Sequence, residues 1–168
     1  ELFNTTKEML NTQAENKGLE LKLFIAPDMP RYALGDATRI KQILINLINN
    51  AIKFTDKGSI AINCSQKPIK NSKFTLTTQV IDTGIGISEE FQKELFEEFT
   101  MFDESHSRKQ EGSGLGLAIS NHLAKLMNGS IKFKSNAIQG STFEFDIDLE
   151  LETEDNVISY EHQLNPKT

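Results

Sequence analysis

The sequence predicts an α/β fold in which a mixed β-sheet is layered against helices. Segments with apolar residues at helical spacing interleave with segments of period-2 alternation, and their order does not follow strict βαβ regularity. The chain has 168 residues, 38% of them hydrophobic and 25% charged, which is an ordinary globular balance. This length allows one domain with a proper core and hardly two.

The first half of the chain contains two predicted helices and three predicted strands. Residues 2–17 form the first helix, which Gly18 closes, and LELKLFIAP follows as a strand stopped by Pro27. Asp36 is a good N-cap for a long helix that runs to about Phe54. GSIAINCSQ and KFTLTTQVID then alternate as two strands, with KPIKNSK as the turn between them.

The second half adds helices, a long loop and two strands. EEFQKELFEEF is predicted to be a short helix, and residues 100–113 are polar and unpatterned, which is typical of a lid loop. Residues 114–127 form another helix, and SIKFKSN and STFEFDIDLELE are the final strands. We expect one domain over residues 1–152 and a linker or tail over residues 153–168.

Charge and cysteine content exclude several classes of protein. The formal net charge is -6 and the pI about 5.1, so we expect no nucleic-acid partner. The single cysteine, Cys64, can form no internal disulfide and fits a reducing cytoplasm. No apolar run approaches the roughly 18 residues of a membrane span. Because the chain opens on Glu1, we interpret it as a piece of a longer protein.

The predicted helix between Asp36 and Phe54 has two distinct faces. Its apolar face is formed by Ile40, Ile43, Leu44, Leu47, Ile48 and Ala51. A narrow polar stripe is formed by Arg39, Gln42, Asn46, Asn50 and Lys53. A solvated face is the ordinary explanation for such a stripe, but solvated faces favour Glu and Lys, and asparagine is a mediocre helix former.

Asparagines at 46, 49 and 50 in mid-helix therefore indicate a ligand. An amide oxygen is a hard, neutral ligand, and Mg²⁺ commonly joins a few protein oxygens to nucleotide phosphates. Lys53, one turn beyond Asn50, would meet the same phosphates as a point charge. Phe54 ends the stripe, where it can offer a ring face.

A second cluster of chemistry is the segment EGSGLGLAI. Gly112, Gly114 and Gly116 alternate immediately before a predicted helix. Glycines let backbone N–H groups crowd round an anion, and the helix N-terminus adds partial positive charge. Close packing is the alternative reason for such glycines. The segment lacks the terminal Gly-Lys-Ser/Thr of a Walker A loop and the spacing of a dinucleotide fingerprint.

The segment VIDTGIGIS offers two interpretations of Asp82. Asp82-Thr83-Gly84 spells an aspartic-protease triplet, but such a protease needs a second carboxylate, and the chain has only one Asp-Thr-Gly. A nucleotide site explains Asp82, the asparagine stripe and the glycine-rich helix start together. A carboxylate accepts a hydrogen bond from the amino group of adenine, whereas guanine presents a carbonyl there.

These motifs resemble the catalytic, ATP-binding domain of sensor histidine kinases, of the hybrid type, within the GHKL superfamily that includes gyrase-type ATPases. DATRIKQILINLINNAIKFTDKGSI resembles the N box, IDTGIGI the first glycine box and LFEEFTMFDES the phenylalanine box. GSGLGLAISNHLAKLMNGSI resembles the second glycine box and GSTFEF the final one. Five motifs in the right order form a highly specific signature.

The resemblance implies a fold and a set of sites. The implied fold is a two-layer α/β sandwich, the Bergerat fold, with a mixed β-sheet packed against three main helices and a mobile ATP lid. Asn50 would coordinate Mg²⁺, with Asn46 on phosphate or metal-bound water and Lys53 on phosphate, and these three would be the catalytic residues. The remaining contacts to ATP would come from Phe54, Asp82, Gly84, Gly86, Gly114, Leu115, Gly116 and Leu117, with Thr142 supporting Asp82 through a hydrogen bond.

The chain departs from the family pattern at two positions and lacks a phosphoacceptor. Glu98 stands where proline is common, and Glu111 where glycine is common; Arg108 and Lys109 are lid residues with an open role. None of the three histidines, His106, His122 and His162, has the acidic neighbour that follows an acceptor histidine. The acceptor would therefore lie on a separate dimerisation domain of the same protein.

The resemblance further implies a response-regulator receiver domain as partner and a homodimeric full-length protein, with the isolated domain a monomer. The domain would act in the cytoplasm, even if the whole protein were a membrane-anchored kinase. Two alternatives remain: a related ATPase or serine kinase, and a degenerate domain that binds ATP only to regulate. Those ATPases and serine kinases place a glutamate four residues before the metal asparagine, and Asn46 cannot act as that base.

Overall fold

The computed structural model of the chain describes residues 1–84, 115–135 and 140–151. The predicted helix EEFQKELFEEF, the lid loop and the C-terminal tail lie outside these residues, and so does the boundary expected at residue 152. The described elements are α1 (Leu2–Asn16), β1 (Leu19–Ile25), β2 (Ala33–Leu34), α2 (Ala37–Phe54), β3 (Gly58–Ile69), β4 (Lys73–Asp82), α3 (Leu115–Leu126), β5 (Ser130–Ser135) and β6 (Ser141–Leu151).

The six strands form one mixed sheet in the order β1-β3-β4-β6-β2, with β5 also paired to β6. β1 runs parallel to β3, and the β3–β4, β4–β6, β5–β6 and β2–β6 pairs are antiparallel. The register places Ile60 of β3 opposite Asp82 of β4, and Asp82 opposite Ser141 of β6. Asp82 thus ends an inner strand, with paired neighbours on both sides.

Among the described residues, the core lies on one face of the sheet. Alternate side chains of β4 and β6 are buried, and Val80, Phe143 and Phe145 are fully enclosed. The opposite face is a polar ladder, in which Thr77 Oγ1 donates to Asp146 at 2.7 Å and Gln79 Nε2 to Glu144 at 2.7 Å. A sheet with one apolar and one polar face needs a single covering layer. The predicted two-layer α/β sandwich is therefore confirmed.

The three described helices cover the apolar face, and α2 contacts both α1 and α3. All six residues assigned to its apolar face are buried. β2 escaped prediction because it has only two residues, held by pairing with the end of β6. β3 runs three residues beyond its predicted end to Ile69, and positive φ angles at Asn71 and Ser72 make the turn tighter than expected. None of the described helices combines the length and apolar content that crossing a membrane requires.

Candidate nucleotide-binding site

The N-terminus of α2 is fixed as the sequence predicts. The Asp36 side chain accepts a hydrogen bond from the backbone N–H of Arg39 at 3.1 Å, which satisfies one of the orphan donors of the first turn. The Arg39 guanidinium turns back to the same carboxylate at 3.2 Å. Arg39, the first member of the polar stripe, is therefore committed to the cap.

Asn46 joins α2 to the start of α3. Its Nδ2 donates to the backbone oxygen of Gly116 at 3.1 Å and to Oγ of Ser120 at 2.9 Å. Its Oδ1 accepts from Nε2 of Gln42 at 3.2 Å, which leaves that oxygen one further acceptor site. The asparagine stripe and the second glycine box, 70 residues apart in sequence, thus meet directly.

Asn50 lies one turn further along the same stripe and is half-buried. Among the described residues, no side-chain or backbone group forms a hydrogen bond with its amide. Lys53 is exposed, with its ammonium 5.4 Å from the ring centroid of Phe54. The C-terminal half of α2 therefore presents a polar oxygen, a cation and an aromatic ring in succession.

Asp82 is a buried carboxylate held by two donors. Its side chain lies at the end of β4 on the inward face, and the residue is 2% exposed. Oδ1 accepts from the backbone N–H of Gly84 at 2.9 Å, and Oδ2 accepts a short hydrogen bond from the hydroxyl of Ser141. Because each carboxylate oxygen can accept two hydrogen bonds, Asp82 is oriented and still has acceptor capacity for a ligand.

The support for Asp82 comes from Ser141, and the assignment of this role to Thr142 is wrong. The register pairs Asp82 with Ser141 and Ile81 with Thr142, so the Thr142 side chain points to the opposite face of the sheet. The alternation of side chains along β6 could have shown this from the sequence. Ser141 lies two residues before the buried Phe143 and must share its face.

Gly84 brings the backbone after Asp82 against the end of α2. A Cβ atom added at Gly84 would lie 2.8 Å from the backbone oxygen of Phe54, 3.1 Å from Oδ1 of Asp82 and 3.2 Å from Cα of Thr55. Any larger residue would therefore displace either the helix end or the carboxylate. By contrast, a Cβ atom added at Gly116 would make only ordinary van der Waals contacts, the nearest at 3.6 Å from Cγ of Asn46.

The structure brings the predicted site residues together in two groups. At one end Phe54, Asp82 and Gly84 converge, and at the other Asn46 meets Gly116. α2 connects the groups over eight residues, or about 12 Å of helix. The Leu117 side chain is 1% exposed, so it anchors the start of α3 in the core, and only its backbone is left for a ligand.

Several predicted residues fall outside this geometry. Gly86, Gly114 and the family departures Glu98 and Glu111 lie outside the described residues, as do His106, His162, Arg108 and Lys109; of Leu115 only the backbone is described. His122 is exposed on α3, as expected of an ordinary helix residue.

The donors present fit a magnesium nucleotide. In the described part of the chain, no three His, Cys, Asp or Glu side chains cluster to hold a metal ion. Mg²⁺ is commonly bound by one or two protein oxygens together with substrate phosphates. The amide oxygen of Asn50 is a donor of that kind, and Lys53 adds charge within the same helical turn.

Comparison with known proteins identifies the family. Residues 35–151, which include α2, β4, α3 and β6, match the family described as histidine kinase-, DNA gyrase B-, and HSP90-like ATPase. The chain belongs to this family. The matched range includes both groups of site residues and the α2 segment that joins them.

The relatives narrow the branch of this ATPase family. The chain is 45% identical over 143 residues to the signal transduction histidine-protein kinase BarA of Escherichia coli (strain K12), covering 85% of this chain and 16% of BarA. It is 40% identical over 146 residues to the hybrid signal transduction histidine kinase B of Dictyostelium discoideum, covering 87% of this chain and 7% of that kinase. The chain thus spans a small fraction of these relatives.

Two solved structures share the fold. Full-length ShkA in complex with AMPPNP superposes with a TM-score of 0.71 at 27% identity, covering 90% of this chain and 30% of ShkA. The catalytic domain of histidine kinase ThkA superposes with a TM-score of 0.64 at 25% identity, covering 90% of this chain and 93% of that domain. These matches confirm the prediction of the catalytic ATP-binding domain of a sensor histidine kinase.

Proposed function

We propose that this ATPase-family domain binds Mg-ATP and transfers the γ-phosphate to a histidine on a separate dimerisation domain of the same protein. The observation that carries the proposal is the buried Asp82 carboxylate, oriented by Gly84 and Ser141 beside the end of α2. A carboxylate fixed in this way recognises an exocyclic amino group, which adenine has. The AMPPNP in the ShkA structure supports an adenine nucleotide as the ligand of this fold.

Each part of the site has a role in this proposal. Asp82 accepts from the adenine amino group, Gly84 and Gly86 leave room for the base, and Phe54 packs on it. Lys53 contacts phosphate, and Asn46 would contact phosphate or a metal-bound water. The backbone at the start of α3, from Gly114 to Leu117, holds phosphate oxygens. When bound through Asn50, Mg²⁺ would neutralise charge on the phosphates.

The metal assignment gives a first prediction. Asn50→Ala should abolish the Mg²⁺-dependent part of ATP affinity, because it removes the only proposed protein ligand, and should leave the fold intact. Calorimetric titrations of ATP with and without Mg²⁺ measure this difference. Asn49→Ala is a matched control, since Asn49 is the exposed neighbour on the same helix. Equal enhancement by Mg²⁺ in Asn50→Ala and the parent chain would contradict the assignment.

The lack of a base separates the kinase from the ATPase branch of the family. Water needs activation to attack phosphorus, and Asn46 cannot deprotonate it. The Asn46 amide is also engaged by Gln42, Gly116 and Ser120. A neutral histidine is itself nucleophilic, so a histidine kinase can leave both base and acceptor to another domain.

A second prediction tests this reasoning on the isolated chain. Incubated with γ-labelled ATP and Mg²⁺, it should bind ATP, release phosphate very slowly and carry no label itself. Phosphate release and protein-bound label are measured in the same reaction. Fast hydrolysis would place the chain in the ATPase branch, and label on the chain itself would show an acceptor within it. ATP binding with no transfer to an added dimerisation domain would favour the degenerate regulatory alternative.

We also propose partners, an oligomeric state and a location for the domain. A receiver domain of a response regulator is the expected next phosphoacceptor, in keeping with a relative named as a hybrid signal transduction histidine kinase. The full-length protein is proposed to be a homodimer through its dimerisation domain, with this domain alone a monomer. We also propose that the domain acts in the cytoplasm.

A further inference from the structure

Lys17, at the end of α1, contacts the last turn of α2. Its Nζ donates to the backbone oxygen of Ile52 at 2.6 Å and to that of Lys53 at 3.0 Å. It also lies 3.6 Å from Oδ1 of Asp56. In the sequence Lys17 is only the last residue of the predicted first helix, and its two carbonyl partners lie 35 and 36 residues further along the chain.

The two carbonyl contacts act as a cap supplied by another helix. The last four carbonyls of an α-helix have no intrahelical partner and lie at the negative end of its dipole. α2 ends in Thr55 with extended backbone, at φ -109° and ψ 116°, and not in a left-handed glycine. A lysine ammonium provides both hydrogen-bond donors and positive charge at such an end.

The base of the Lys17 side chain is itself fixed. The backbone N–H of Lys17 donates to Ala14 at 3.1 Å and that of Gly18 to Glu15 at 2.8 Å, which closes the end of α1. The next residue, Leu19, begins β1 and is 3% exposed. The ammonium therefore reaches α2 from a rigid base, and the contact has a defined geometry.

The exposed ion pair contributes little to this contact. Asp56 is 79% exposed in its side chain, and ion pairs between exposed groups are typically worth little because water screens them. The hydrogen bonds to Ile52 and Lys53 involve backbone groups whose positions decide where the helix ends. The carbonyl contacts are therefore the part of the interaction with a consequence for the site.

The turn that Lys17 caps carries part of the nucleotide site. It contains Lys53 and Phe54 and follows Asn50, and the backbone oxygen of Phe54 limits the space at Gly84. We propose that Lys17 is a positioning residue for nucleotide binding, which holds the last turn of α2 in the form the site requires. This inference rests on the proposed function, because it assigns Lys17 an effect on the same site.

The experiment compares Lys17→Met, Lys17→Arg and Lys22→Met with the parent chain. Met keeps the aliphatic length and removes the donor, and Arg restores donor and charge. Lys22 is a matched control, an exposed lysine on β1 whose ion pair with Glu20 is 3.9 Å long. We measure the Kd for ADP by calorimetry well below the unfolding transition, and amide hydrogen exchange along α2.

Lys17→Met should weaken ADP binding about three- to tenfold, which corresponds to the net contribution of about one hydrogen bond. Lys17→Arg should recover most of the affinity, and Lys22→Met should equal the parent. Exchange should rise at residues 51–54 in Lys17→Met and stay unchanged at residues 40–47. A general structural effect would instead raise exchange along the whole helix and would overturn the inference.

The outcomes separate this inference from the proposed function. If the parent chain binds ADP and Lys17→Met binds it equally well, the inference fails and the proposed function stands. If Lys22→Met loses as much affinity as Lys17→Met, the effect is one of surface charge, which also overturns the inference. If the parent chain does not bind ADP, the proposed function fails and the inference fails with it.

Discussion

Asp82→Ala should weaken ADP binding by roughly tenfold to more than a hundredfold without weakening the binding of GDP, so that most of the preference for ADP is lost. In the proposed site of the parent chain, the carboxylate accepts a hydrogen bond from the adenine amino group. Against guanine, two acceptors would face one another in a buried place, since Asp82 is 2% exposed. A mismatched buried polar pair costs on the order of 1–3 kcal/mol, and more for a charged group.

Further variants at Asp82, Ser141 and Thr142 test this prediction in more detail. Asp82→Asn keeps the size of the side chain but presents an amide donor, so it should lower ADP affinity and narrow the preference over GDP. Ser141→Ala removes one of the two donors that orient the carboxylate and should cost ADP affinity about fivefold, as for the loss of one net hydrogen bond. Thr142→Ala changes the opposite face and should match the parent.

Calorimetric titration of ADP and GDP against these variants measures the effect, with circular dichroism to show that each variant is folded. Similar affinities for ADP and GDP in the parent chain would contradict the role of Asp82. A loss in Thr142→Ala equal to that in Ser141→Ala would contradict the geometry that assigns support to Ser141.

The features predicted best were those that local pattern determines. The two faces of α2 follow from spacing along one helix, and all six residues of the apolar face are buried. The Asp36 cap follows from its position directly before that helix. The alternation in KFTLTTQVID likewise predicted a strand, and β4 covers the same residues, Lys73–Asp82. Each of these inferences needs only a few neighbouring residues.

The features missed depend on contacts between distant segments. The hydrogen bonds of Asn46 to Gly116 and Ser120 join α2 to α3, and nothing in either segment alone predicts their partner. The contact of Lys17 with the end of α2 is of the same kind. The support of Asp82 depends on the register between β4 and β6, which places Ser141 opposite Asp82, whereas the family resemblance implied Thr142.

The largest effect expected of the chain is one that appears only with a partner domain. Phosphoryl transfer depends mostly on positioning and charge neutralisation, and the proposed site offers both. In transfer to histidine, a bond forms between an imidazole nitrogen and the γ-phosphorus while the bond from that phosphorus to the bridging oxygen breaks. ADP leaves, and the proton of the imidazole passes to a base or to solvent at the acceptor domain.

The central claim is tested most directly by incubating the chain with γ-labelled ATP and Mg²⁺, with and without its histidine-bearing dimerisation domain, followed by gel separation. We predict label on the dimerisation domain alone, only when both proteins are present, as a phosphoramidate that acid removes and alkali does not. Asn50→Ala should abolish this label. An acid-stable phosphoserine product, or rapid phosphate release by the chain alone with no label on the added domain, would contradict the account.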